Sequence, residues 1–97
     1  MRLQRSEIDI IKTTLHESID DAKVFLFGSR TDDTKKGGDI DLFVQTHKPI
    51  TLKDELKILS RLELRGIGRK VDLIIQTPLT PPPQKLFETI LKEGILL

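Results

Sequence analysis

The sequence contains no cysteine, no tryptophan and no tyrosine, and only four phenylalanines among its 97 residues. Without cysteine, disulfides and thiolate metal sites are excluded, and nothing is imprinted about the redox state of the compartment. Charge of one sign is missing as well. Sixteen Lys and Arg stand against fifteen Asp and Glu, for a net charge of +1. That balance excludes a protein that lives by coating nucleic acid, and no direct nucleic-acid partner is expected. No apolar run approaches membrane-spanning length, and the charged start MRLQRSEIDI has no stretch that reads as a signal peptide. The expectation is a soluble, cytoplasmic protein with no membrane partner.

What is present is ordinary for a globular chain: 37% hydrophobic and 32% charged residues. Residues 1–97 are expected to form one domain, since a chain this short buries about 60 to 70% of its unfolded surface around a single core. Ser6-Glu7-Ile8-Asp9 has the form of a helix start, and Ile8, Ile11, Leu15 and Ile19 recur at helical spacing, which predicts a helix over about 6–19. KVFLF (23–27) reads as a buried strand stopped by Gly28, and residues 30–38 as a polar loop. DIDLFVQ (39–45) reads as a second strand. Thr51-Leu52-Lys53-Asp54 opens a second helix ending near Gly66, with Leu52, Leu56, Leu59 and Leu62 as its apolar stripe. KVDLIIQ (70–76) is a third strand, and after a proline-rich loop a last helix is expected over about 84–93, closed by Gly94. The apolar tail Ile95-Leu96-Leu97 packs on the core or on another subunit. The fold class is α/β (α+β): a small mixed β-sheet flanked by helices.

Three acids break the apolar strands. By the period of two, Asp39 and Asp41 share one face of the second strand with Phe43, opposite Ile40, Leu42 and Val44. Asp72 interrupts the third strand. An ionised carboxylate that is dry and unpaired costs several kcal/mol, so three on two strands need a reason. If the strands are neighbours, their spacing of about 4.8 Å lets all three reach one point. Carboxylates that close resist joint ionisation unless a cation lies between them. Hard oxygen donors without Cys or a nearby His favour Mg²⁺ or Mn²⁺, and Mg²⁺ takes a few carboxylates together with phosphate oxygens and water, which points to a nucleotide. Gly28 and Ser29 supply backbone amides and a hydroxyl at the end of a strand, where a phosphate can approach closely, and Arg30 adds a positive charge.

The plain alternatives are a half-exposed edge strand with solvated acids for Asp39 and Asp41, and an ion pair with Lys70 or a nearby arginine for Asp72. Asp32 and Asp33 read as loop solubilisers, His16 and His47 as surface residues, and Arg61, Arg65, Arg69 and Lys70 as a solvated face at the end of the second helix.

FGSR at 27–30, GGDIDLFV at 37–44 and KVDLII at 70–75 together resemble the minimal nucleotidyltransferases of the DNA polymerase beta-like superfamily. The closing FETILKEGILL is similar to the end of the small proteins encoded beside HEPN-domain toxins. The loop of residues 30–38 is slightly shorter than the family's usual one. The resemblance implies the polymerase beta-like nucleotidyltransferase fold and an antitoxin that transfers AMP from ATP to a tyrosine of a HEPN ribonuclease toxin. It further implies that Asp39 and Asp41 hold two Mg²⁺ ions, that Asp72 binds the catalytic one and helps deprotonate the attacking hydroxyl, and that Gly28, Ser29 and Arg30 hold the phosphates. With no tyrosine of its own, the chain would act in trans. Two rival expectations are a non-catalytic antitoxin that inhibits by binding and a nucleotidyltransferase acting on a small molecule.

Overall fold

The computed structural model describes residues 3–27, 40–79 and 84–97. Their order is α1 (Arg5–Ser18), β1 (Lys23–Phe27), β2 (Ile40–Gln45), α2 (Leu52–Leu64), β3 (Val71–Gln76), α3 (Gln84–Glu93) and β4 (Ile95–Leu96). The strands form one mixed sheet in the order β3-β2-β1-β4. β1 runs antiparallel to β2 and to β4, whereas β2 and β3 are parallel, as the intervening helix requires.

Two layers cover the sheet. On one face Val24, Leu26, Ile40, Leu42 and Val44 pack with Ile11, Leu15 and Ile19 from the first helical segment and with Ile58 and Leu62 of α2. On the other face a smaller cluster joins Phe27, Phe43 and Ile90, with Phe25 and Ile74 against it. The period of two and the period of 3.6 therefore meet, and β1, β2 and β3 each contribute to both cores.

Three details depart from the sequence-based expectations. α1 begins at Arg5 with Gln4 as its cap, and the Gln4 backbone N–H donates to Glu7 Oε1 at 3.0 Å, so Glu7 rather than Asp9 closes the box around the helix start. In α2 the buried residues are Ile58 and Leu62, while Leu52 and Leu56 are 70% and 55% exposed. The first half of the expected stripe, Leu52 and Leu56, points to solvent, Leu59 is half-buried and Leu62 is buried as expected, with Ile58 joining it against the sheet. Of the tail expected to pack on the core or on another subunit, Leu97 packs against the main core, and Ile95 and Leu96 add a strand not expected, β4, pairing with Leu26 and Phe25, while Leu97 N–H donates to Val24 O at 2.9 Å.

The signals at both ends of α2 hold. Thr51 caps α2, accepting from Asp54 N–H at 3.2 Å while its own N–H donates to Asp54 Oδ2 at 3.0 Å. At the other end Gly66 takes φ +114°, a value that suits glycine, and lets Gly66 N–H and Ile67 N–H reach back to Glu63 O and Leu62 O at 3.2 and 3.0 Å.

Candidate active site

The site-bearing strands are neighbours. Ile40 N–H donates to Lys70 O at 2.9 Å and Thr46 N–H to Gln76 O at 3.1 Å, which pins the two ends of the parallel β2–β3 ladder. In that register Ile40 faces Val71 and Asp41 faces Asp72. Alternation puts both acids on the face of Phe43 and Ile74. β2 is an inner strand, flanked by β1 and β3, so the edge-strand reading of its acid does not hold.

Side chains on this face form three rows across the sheet. Phe27, Asp41 and Asp72 make the first, Phe25, Phe43 and Ile74 the second, and Lys23, Gln45 and Gln76 the third. The middle row is the dry one, where the Phe25 and Phe43 rings lie 6.1 Å apart and Ile90 of α3 packs at 1% exposure. In the last row Gln45 Nε2 donates to Gln76 Oε1 at 2.9 Å. The acids thus stand at one end of the face, with hydrocarbon on one side of them. Asp41 is half-buried and Asp72 46% exposed, so a solvent-borne ligand has access to both.

Lys70 Nζ lies 3.9 Å from Asp72 Oδ1, with the lysine 72% exposed. That contact matches the ion-pair alternative in part. It is long and solvated, worth about 0 to 1 kcal/mol, and it leaves the position of Asp72 opposite Asp41 unexplained. On the α2 side of the same end of the sheet, a cleft of about 510 Å³ is lined in part by Gly66, Gly68, Arg69 and Lys70.

Asp39, Gly28, Ser29, Arg30, Asp32 and Asp33 lie outside the described residues. Among the described residues no group of three or more His, Cys, Asp or Glu side chains forms a metal cluster. Among the described residues the donor set is a carboxylate pair on one row. Such a pair suits a hard divalent cation whose remaining ligands are water and phosphate oxygens.

The basic residues near the end of α2 are mostly committed to α1. Arg65 Nη1 meets Glu17 Oε1 at 2.7 Å and donates to Thr14 Oγ1 at 2.9 Å, Arg61 Nη1 donates to Ser18 Oγ at 3.4 Å, and Arg69 Nε lies 3.6 Å from Glu7. His16 Nε2 bonds Ala22 O at 3.0 Å, which ties the helix end to β1. A polar knot that spacing gave no hint of closes the far end of the sheet: Asp21 accepts from Thr46 Oγ1 and from His47 N–H, and Lys48 pairs with Asp20. The Thr46 hydroxyl first, and then the His47 amide, hold the Asp21 carboxyl below its usual range.

A family model described as polymerase beta, nucleotidyltransferase, matches residues 5–97. The chain belongs to the polymerase beta nucleotidyltransferase family. No curated protein matches it. Solved structures that share the nucleotidyltransferase fold include a toxin-antitoxin with AMP-PNP, at 20% identity over 96% of this chain and 72% of the matched one, TM-score 0.73. Another is the tri-AMPylated Shewanella oneidensis HEPN toxin in complex with MNT antitoxin, at 22% identity over 94% and 67%, TM-score 0.67. A third is the spectinomycin adenyltransferase AAD(9) from Enterococcus faecialis with ATP and spectinomycin, at 19% identity over 97% of this chain and 48% of that one, TM-score 0.58. In this chain the β2–β3 register of that fold places Asp41 and Asp72 side by side.

Proposed function

We propose that this nucleotidyltransferase transfers AMP from ATP to a tyrosine of a cognate HEPN ribonuclease toxin in the cytoplasm, and by doing so acts as its antitoxin. The observation that carries the reading is the pairing of Asp41 with Asp72 across the parallel strands, a paired carboxylate row beside the apolar row of Phe25, Phe43 and Ile74. Family membership supports the chemistry. The neighbouring toxin-antitoxin assemblies, one with AMP-PNP and one with a tri-AMPylated toxin, support the choice of donor and acceptor.

Asp39, Asp41 and Asp72 would hold Mg²⁺ in a two-ion arrangement, and Gly28, Ser29 and Arg30 would hold the β- and γ-phosphates of ATP. Bound there, Mg²⁺ supplies charge neutralisation for the triphosphate and for the leaving pyrophosphate. The tyrosine oxygen attacks the α-phosphorus, its proton passing to the Asp72 carboxylate, and the bond from the α-phosphorus to the bridging oxygen breaks as pyrophosphate leaves. Asp41, on an inner strand and locked between β1 and β3, holds its position while the half-exposed Asp72 faces the incoming hydroxyl.

The test is co-expression with the product of the adjacent gene, followed by intact-mass measurement of that partner after addition of ATP and Mg²⁺. An adenylyl increment that vanishes with Asp41→Ala is expected. An Asp41→Ala chain that protects cells as well as the original would refute transfer as the basis of neutralisation.

A further inference from the structure

Phe27, Asp41 and Asp72 stand in one row across β1, β2 and β3, and the two ends of that row differ. At the β1 end Phe27 is buried, and the residues proposed for the phosphates, Gly28, Ser29 and Arg30, follow it directly in sequence. At the β3 end Asp72 is 46% exposed, and Lys70 stands beside it at 72%. Two residues apart on an extended segment, Lys70 and Asp72 share a face. Lys70 O accepts from Ile40 N–H at 2.9 Å, which fixes its backbone against β2 and leaves the ammonium as the part that can adjust. The cations nearest in the sheet are placed elsewhere. Arg69 alternates to the opposite face and reaches Glu7, and Lys23 lies in the third row, four residues or about 13 Å along the sheet from the acids.

Lys70 Nζ and Asp72 Oδ1 are 3.9 Å apart, too far for a charge-assisted hydrogen bond, which runs at about 2.7 to 2.9 Å. The span suits one oxygen atom bonded to both, since two hydrogen bonds of about 2.8 Å meeting at about 90° close it. We infer that Lys70 and Asp72 together receive the acceptor hydroxyl, with Lys70 as the residue that holds its oxygen. The inference rests on the transfer activity proposed above and assigns the place of its second substrate. The hydroxyl donates its proton to Asp72 Oδ1 and accepts an N–H from the Lys70 ammonium. As the oxygen bonds to the α-phosphorus and the bond to pyrophosphate breaks, the hydroxyl proton passes to the Asp72 carboxylate, and Lys70 keeps its own protons. Its charge stabilises the oxygen while negative charge develops there. A phenolic hydroxyl suits such a receptor, because its ordinary pKa of about 10 lies much closer to neutrality than that of an aliphatic alcohol.

The test separates the two substrates. Lys70→Gln removes the charge and Lys70→Arg keeps it. In the full 97-residue chain, with ATP, Mg²⁺ and the product of the adjacent gene as acceptor, Lys70→Gln is expected to slow AMP transfer at least about tenfold by intact mass, and Lys70→Arg to recover most of that loss. AMP-PNP with Mg²⁺, titrated calorimetrically, should bind the Lys70→Gln chain within about threefold of the original, because the lysine serves the acceptor and not the nucleotide. The melting temperature should hold, since the lysine is mostly exposed. Undiminished transfer by Lys70→Gln, with the original chain active, overturns the role of Lys70 and leaves the transfer reading standing. A fall in AMP-PNP affinity as large as the fall in transfer overturns it as well, by putting the lysine on the nucleotide. No adenylyl increment from the original chain overturns the transfer reading, and this inference with it.

Discussion

Asp41 and Asp72 are Cα partners in the parallel register of β2 and β3. They are separated by thirty-one positions in sequence and by one strand spacing, about 4.8 Å, in space. Like charges so placed cost stability in the absence of a cation.

Replacing either acid by asparagine is therefore expected to separate activity from stability. Asp41→Asn and Asp72→Asn should each lower AMP transfer by at least about 10²-fold. The melting temperature without ligand should hold or rise, by the equivalent of about 0.2 to 1 kcal/mol, as like-charge repulsion is removed. Turnover assays beside thermal melts check this, and a large loss of stability in both variants would mark the acids as structural.

Acid sensitivity should trace to the far end of the sheet and to the α2 cap. The Lys48 ammonium lowers Asp20, the Thr46 hydroxyl and His47 amide lower Asp21, and the backbone amide of Thr51 lowers Asp54. A carboxyl with a folded pKa below its unfolded value adds stability above about 3.8 and loses it as pH falls through the folded value. Melting temperature should thus drop on acidification below that point, and Asp21→Asn should flatten the drop. Lys48, raised by Asp20, works in the opposite sense: its contribution is present below 10.5 and fades as pH rises through the higher folded value.

Two leucines distinguish core from surface. Leu42 is fully buried on β2, and Leu42→Ala should cost about 2 to 5 kcal/mol by denaturant titration. Leu56 is 55% exposed, so Leu56→Ala should stay within roughly 0.5 kcal/mol. Similar costs at the two positions would contradict the orientation of α2.

Gly94 joins α3 to β4. A Cβ there would sit 2.5 Å from Ile90 O, against backbone that cannot swing aside. Gly94→Ala is expected to cost about 1 to 3 kcal/mol and to loosen the Leu97 N–H to Val24 O bond, which amide exchange at Leu97 would detect.

The sequence by itself determined the elements and the acid face. Alternation in IDLFVQ and VDLIIQ puts every side chain on one face or the other from local geometry alone, and the caps at Thr51 and Gly66 are contacts within a few residues. Asp39, Gly28, Ser29 and Arg30 lie outside the described residues. Only the tertiary structure decided that Asp41 faces Asp72, that Ile58 and Leu62 rather than Leu52 and Leu56 meet the sheet, and that the tail becomes a fourth strand beside β1. Each of these depends on which surface arrives from elsewhere in the chain, and helical or strand periodicity sets the stripes an element offers without saying which of two adjacent stripes will be covered.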